Sequence, residues 1–368
     1  MSDKVLILGG RGRIGSSVAL DLLTHTQAQV IVTGRSKILG ASLLLERFGS
    51  RLQYSPLELT DSVGLATAIA PVNLVVNCAG PFRQRDTLVL ETCIAQGVNY
   101  VDVSDDRIFT QAALENSSAA EAAGITAVIN TGVFPGISNS MVRQGVEQFD
   151  TPEEIHISYV VAGSGGAGVT VMRTTFLNIQ HLFDAWIDGQ WQQIKPYTGR
   201  ETIEFPAPFG RADVYWFDMP ESFTLTQMFP VKTVTTKFGT FPDFYNKLTW
   251  MTAHWFPKRW MQQPQFIEAL AHISHSMASV TDRFSGVGVA MRIDIMGRKE
   301  GKAAHYSSTF VHDSAAIATG LGTGSVSQFV LTEQIKKPGV WPIEQAVTTP
   351  FFKMMLESRK LSVIQNWY

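Results

Sequence analysis

The chain reads as an α/β protein: an N-terminal doubly wound parallel sheet followed by a second α/β domain with a mixed sheet. Short apolar runs alternate with helical patterns through the first third of the sequence. A glycine cluster stands at the first strand-to-helix junction. The length of 368 residues suits two cores, since single cores stop growing near ~250–300 residues. Apolar residues at 45% and charged residues at 17% support a substantial packed interior. The formal charge of −2, without a long run of one sign, argues against nucleic acid as a partner.

The predicted strands of the first domain are Val5–Leu8, Val30–Thr33, Leu52–Ser55, Leu74–Asn77, Tyr100–Val103 and Thr126–Ile129. Ile14, Val18 and Leu22 fall on one helical stripe between the first two. Thr87–Gln96 reads as a helix stopped by Gly97, and alanine-rich Ala112–Ala123 as another stopped by Gly124. Around residues 131–139 (TGVFPGISN) the pattern breaks, and Ser138 or Asn139 is placed to cap a helix that contains Met141, Val142, Val146 and Phe149. Ile155–Val161 and Met291–Met296 read as strands of the second domain. These features place a first domain at 1–135 and a second at 136–334, with a helix at about 335–368 packing back on the first.

Gly10-Arg11-Gly12-Arg13-Ile14-Gly15 has the form G-x-G-x-x-G directly after a strand and at the start of an amphipathic helix. Gly10 is assigned to the tight turn, Gly12 to backbone approach to a pyrophosphate, and Gly15 to close helix–sheet packing. The helix N-terminus offers unpaired N–H groups to the anion. This is the dinucleotide-binding arrangement of a Rossmann domain. NAD sites put a carboxylate at the end of the second strand to bind the ribose 2′-hydroxyl. Here that strand runs into Thr33-Gly34-Arg35-Ser36-Lys37, which contains no acid. Arg35 can pair with a 2′-phosphate through its planar fork, Ser36 can add a hydrogen bond, and Arg11 or Lys37 adds positive potential. The expected cofactor is NADP(H).

After the fourth strand, Ala79, Gly80 and Pro81 let the backbone pass close to the nicotinamide-side ribose. Cys78 reads as a small buried thiol. The fifth strand ends in Asp102-Val103-Ser104-Asp105-Asp106. Asp105 is the candidate proton donor, and helix capping by Ser104, Asp105 or Asp106 is the structural alternative.

In the second domain, Arg173 is a candidate for holding a substrate carboxylate. The glycine-rich 163–168 is either an anion cradle or a plain connection. Residues 241–260 hold Trp250, Trp255 and Trp260 with Phe241, Phe244 and Phe256, next to Lys258 and Arg259. They read as a membrane-interface belt, as the lid of an apolar pocket, or as packed core. His272 and His275 have no third ligand in view, and two cysteines, Cys78 and Cys93, make neither a disulfide framework nor a four-cysteine zinc site. No metal is expected.

Taken together, LILGGRGRIGSSVALDLL, NCAGPF, CIAQGVNYVDVSDD and NTGVFPGISN resemble the saccharopine dehydrogenase-like (saccharopine reductase-type) oxidoreductases. The resemblance is clearest over residues 4–140 and fainter at GSGGAG and Asp218-Met219-Pro220-Glu221. It implies an NAD(P)-binding Rossmann domain, a substrate domain, and redox chemistry in a cleft between them, often on an amino-acid-derived imine. It also implies that Ala79–Phe82 and Val133–Ile137 are cofactor and cleft motifs, which puts Phe82, Phe134, Pro135 and Gly136 at the substrate. Saccharopine-forming members read close to G-L-D-P-G-I-D where this chain has Gly132-Val133-Phe134-Pro135-Gly136-Ile137-Ser138. With both acids replaced, a less polar substrate is expected.

The expected function is hydride transfer between NADP(H) and an imine, unsaturated or carbonyl compound. The alternatives are a non-catalytic NADPH sensor or scaffold, and a membrane-surface reductase of a lipid-like substrate. A cytoplasmic setting, a small-molecule substrate, peripheral membrane contact through 241–260 and a homodimer complete the expectations.

Overall fold

The Val, Ile and Leu runs of the first third form strands β1 (Lys4–Leu8), β2 (Gln29–Gly34), β3 (Leu52–Pro56), β4 (Leu74–Asn77), β5 (Asn99–Asp102) and β6 (Thr126–Ile129). The structure, a computed structural model, describes residues 3–34, 47–163 and 168–368. The chain divides into two compact units, Met1–Ile137 with Ala316–Phe351, and Ser138–Ala315 with Phe352–Tyr368.

In unit 1 a later strand, Gly339–Pro342, joins β1–β6 in one sheet, ordered Gly339–Pro342, β6, β5, β4, β1, β2, β3. Every neighbouring pair is parallel. Strands β1, β4 and β6 are almost continuously apolar because helices cover both faces, which leaves no solvated side to alternate toward. Val5, Ile7, Val75, Val76, Ala127 and Val128 are fully buried. Helices α1 (Arg13–His25), α2 (Ser62–Ile69), α3 (Leu88–Gln96), α4 (Arg107–Glu115) and α5 (Ser117–Ala122) connect the strands. Gly97, at φ 66°, ends α3 as the glycine stop predicts.

The single helix expected over Ala112–Ala123 is two, α4 and α5, which meet at Asn116. The side chain of Asn116 turns back to bond the Ala112 carbonyl at 3.1 Å, and such local bonding competes with helix continuation. The tail differs more. Unit 1 regains the chain at Ala316, well before residue 335, through helix Ala315–Leu331. Its ATGLGTGSVS composition hides the helix from propensity, but the packing requires it. A Cβ on Gly320 would collide with Ser17 of α1, and one on Gly324 with Asp21. Only glycine lets the two helices approach so closely. Pro338 and Gly339 interrupt the helix expected at about 335–368 and lead into the edge strand Gly339–Pro342, where a proline is tolerated. Residues 349–359 are helical, and Val363–Trp367 is a strand of unit 2.

Unit 2 opens with α6 (Ile137–Val146), continues with β7 (Thr151–Ala162), and then carries β8 (Phe183–Ile187), β9 (Gln190–Ile194), β10 (Glu201–Glu204), β11 (Arg211–Trp216) and β12 (Thr233–Phe241). Strands β13 (Gly288–Lys299) and β14 (Lys302–His312) form a hairpin. The main path of this sheet is β10, β11, β12, β7, β13, β14, Val363–Trp367, with β8 and β9 attached at β12. Only β12 against β7 is parallel along that path, so the sheet is mixed. Ser138 and Asn139 do not cap α6. The helix begins at Ile137, and both lie buried inside its first turn.

Candidate functional site

Strand β1 lies between β2 and β4, so the chain order reverses there: β1–β2–β3 run one way and β4–β5–β6 the other. The carboxyl ends of strands at such a switch point form a crevice, the usual ligand site of open α/β sheets. The turn after β1 sits in it. Gly9, which the sequence reading passed over, makes the sharp bend at φ 70°. A Cβ there would lie 2.9 Å from the Cys78 carbonyl oxygen and 3.1 Å from the Ala79 Cα, so the turns after β1 and β4 touch.

Gly10 follows at the first central position of this turn, which the Gly12 N–H closes on the Gly9 carbonyl at 2.9 Å, and it also allows close approach to β2, since its Cβ would stand 2.6 Å from the Val32 Cβ. Gly15 fits its assignment, with a would-be Cβ 2.5 Å from the Gly9 carbonyl oxygen. Gly12 is exposed and extended at φ −69°, ψ 162°, and no side chain caps α1. Its would-be Cβ meets only the Gly9 carbonyl oxygen at 3.2 Å, so the space in front of the helix is kept clear by the missing side chain. Arg13 and Ile14 belong to the first turn of α1, whose N–H groups and positive dipole end suit a pyrophosphate. The residues present fit a dinucleotide.

Arg35 and Ser36 lie outside the described residues. Arg11 does not: its guanidinium lies 5.9 Å from the centroid of the Tyr54 ring, and the Tyr54 hydroxyl donates to the Gly34 carbonyl at 3.1 Å. Arg11 is thus held at the carboxyl end of β2, where the adenosine ribose of a dinucleotide belongs.

After β4, the Asn77 carboxamide oxygen accepts from the Ala79 N–H at 3.1 Å and shapes the Ala79–Pro81 turn. Its amide donates to the Tyr100 hydroxyl at 3.1 Å, which donates to Asp102 Oδ2 at 3.0 Å. Asp102 Oδ1 accepts from the Ser104 N–H at 3.0 Å, the Ser104 hydroxyl at 2.6 Å and the Asn130 N–H at 3.0 Å. Asn130 Nδ2 then reaches Ser104 and Thr110. This fully buried network locks the ends of β4, β5 and β6 together. Burial pushes the Asp102 carboxyl above its usual range, opposed by these hydrogen bonds. Cys78 is pushed far above the usual thiol range, by burial first and then by Asp102, which keeps it a thiol.

The three acids at the end of β5 and just beyond it separate by environment. Asp102 is structural. Asp106 accepts from the Phe109 N–H at 3.0 Å as the cap of α4 and pairs with Arg83 at 3.2 Å. Asp105, partly buried between them, is pushed up to about 7 by desolvation and then by the neighbouring Asp106. A carboxyl that titrates near neutrality can give and take a proton under working conditions.

Two substrate candidates turn out to be committed elsewhere. Phe82 is buried and packs edge-on against Phe109 at 4.9 Å, inside the core. Arg173 makes a bidentate pair with Glu268, both contacts 2.6 Å, so its fork is matched to a protein carboxylate. His272 also bonds Glu268. In the turn after β6, Pro135 and Gly136 are buried and Phe134 is half-buried. Among the described residues, no helix is long and apolar enough to cross a membrane.

Comparison with known proteins agrees with this geometry. The saccharopine dehydrogenase NADP binding domain matches residues 5–128. Carboxynorspermidine synthase from Vibrio alginolyticus is 26% identical over 205 residues, 51% of this chain and 48% of that protein, so the match spans about half the length of this curated relative. The solved saccharopine dehydrogenase (L-Glu forming) from Saccharomyces cerevisiae superposes with a TM-score of 0.71 at 14% identity, covering 100% of both chains. Homospermidine synthase from Legionella pneumophila, in complex with NAD, follows at 0.64 and 11% identity, covering 100% of this chain and 92% of that one. The chain is thus similar to the saccharopine dehydrogenases: residues 5–128 match that family's NADP binding domain, and the full length shares the fold of the solved enzyme.

Proposed function

We propose that this protein is a pyridine-nucleotide oxidoreductase that prefers NADP(H) and acts on an imine, or on an unsaturated or carbonyl compound. The observation that carries the reading is Arg11, seated on Tyr54 at the carboxyl end of an acid-free β2. The relatives support redox chemistry: one is a dehydrogenase, and one was solved with NAD.

The nucleotide, when bound, supplies or accepts the hydride. The first turn of α1, with Gly12, Arg13 and Ile14, binds the pyrophosphate through N–H groups. Arg11, Arg35 and Ser36 take the 2′-phosphate, where a carboxylate would repel it. Ala79, Gly80 and Pro81 flank the nicotinamide-side ribose. Asp105 delivers the proton that accompanies reduction, because its raised affinity keeps it partly protonated near neutral pH. The half-buried Phe134 offers apolar surface to substrate, on a turn held by the buried Pro135 and Gly136.

Titration of the purified protein with each reduced nucleotide, followed by nicotinamide fluorescence, tests the reading. NADPH is expected to bind at least about tenfold tighter than NADH, or about 1.4 kcal/mol. A screen of imines and unsaturated carbonyl compounds then looks for turnover. If neither nucleotide binds, the assignment falls.

A further inference from the structure

The helical segment between β12 and β13 carries an apolar surface that its own unit does not cover. Of eighteen exposed large hydrophobics among the described residues, eight lie between Phe244 and Val280. Trp255 is 67% exposed, Phe244 54% and Trp260 44%. These rings are joined to the long helix Pro264–Ser285: Phe266 packs 5.7 Å from Phe256 and 5.8 Å from Trp260. Ile273, Met277 and Val280 continue the stripe at helical spacing, and all three are exposed. The opposite stripe, Ile267, Ala271 and Ala278, is buried and anchors the helix. Packing therefore uses one face and leaves a second apolar face outward, an arrangement a fold does not need for itself.

Charge indicates what covers that face. Between Thr249 and Ile267, the stretch with the most exposed aromatics, the charged residues are Lys258 and Arg259, and no acid occurs. The flanking acids are already matched: Asp243 pairs with Lys247 at 3.6 Å, and Glu268 with Arg173 at 2.6 Å. Tryptophan and phenylalanine beside lysine and arginine suit the boundary between acyl chains and headgroups, with cations attracted to anionic lipid.

We propose that residues 244–280 bind an anionic lipid surface, with Trp255, Phe256 and Trp260 at the boundary and the long helix lying in its plane. The assignment needs no transmembrane segment and is independent of the nucleotide reading.

The test mixes the full chain with phosphatidylcholine vesicles, with and without phosphatidylglycerol, and sediments them. At least tenfold more protein is expected on the anionic vesicles at low salt, with release at high salt and a blue shift of tryptophan fluorescence on binding. The Trp255→Ser/Trp260→Ser variant, altered at exposed positions, should keep its circular dichroism and nucleotide affinity and lose vesicle binding at least tenfold. Protein left in the supernatant with both vesicle types overturns the proposal. So does unchanged vesicle binding by the variant, or a wild-type dimer that the variant converts to monomer, which would make the face a contact between copies.

Discussion

The aliphatic stem of Arg11 lies against Gly34: a Cβ added at Gly34 would stand 2.9 Å from Arg11 Cδ. A side chain at Gly34 therefore displaces Arg11, and a carboxylate there also repels a 2′-phosphate. Gly34→Asp is expected to lower NADPH affinity at least about tenfold, or ~1.4 kcal/mol, and to move preference toward NADH. Nucleotide titration reads both. Unchanged preference would place the 2′-phosphate away from the end of β2.

Arg11 and Arg35 are expected to share that phosphate. Each Arg→Ala change should cost about 1.5–3 kcal/mol of NADPH binding, as hydrogen bonds to charged groups do, and leave NADH nearly unaffected. The double variant should lose less than the sum, because the two cations serve one anion. Equal losses for both nucleotides would refute a specificity role.

Asp105, raised to about 7 by burial and by Asp106, has two separable consequences. As proton donor it must be protonated, so the reductive rate should fall as pH rises through about 7, and Asp105→Asn should lower it ~10²–10⁴-fold. Stability follows the same sign. The unfolded carboxyl titrates near ~3.9, so the contribution to stability is full below that pH and is lost between ~4 and 7. Thermal unfolding of Asp105→Asn should lose that slope, and at pH 8 the variant should exceed the parent by on the order of 1–2 kcal/mol after solvent screening.

Asp102→Ala should behave differently. It strands the Ser104 and Asn130 N–H groups and the Tyr100 hydroxyl in a buried site. At about 1–3 kcal/mol for each stranded donor, the loss should be at least ~3 kcal/mol in a denaturant titration. Asp102→Asn, which keeps one acceptor oxygen, should cost less. A neutral Asp102→Ala would show that water replaces the carboxylate.

Gly15→Ala puts a methyl group 2.5 Å from the Gly9 carbonyl oxygen. The helix must retreat from the turn, at ~1–3 kcal/mol, and the N–H groups that face the pyrophosphate move with it. Both nucleotides should bind at least tenfold more weakly in the same titration. Ser16→Ala serves as the control, since its hydroxyl bonds only within α1.

The parallel strands were legible because both their faces are buried, which writes each one as an uninterrupted apolar run. The phosphate turn was legible because its glycines answer to contacts within a few residues. The positive φ of 70° at Gly9 was not legible, because only the contact with the neighbouring β4 turn shows why glycine is needed there. Helix Ala315–Leu331 was not legible, because its glycines serve α1, about 300 residues earlier in the chain.

The amino-acid sequence by itself determined the α/β class, the switch-point turn, the acid-free end of β2 and the family likeness. All of these rest on spacings of a few residues or on composition. The tertiary structure decided which acid after β5 is free to titrate, why Arg173 is spoken for, and how Arg11 is seated. Those outcomes depend on partners far away in the chain: Asn130 for Asp102, Glu268 for Arg173, and Gly34 with Tyr54 for Arg11. A side chain's chemistry is set by what surrounds it in space, and the sheet order, not the local spacing, brings those surroundings together.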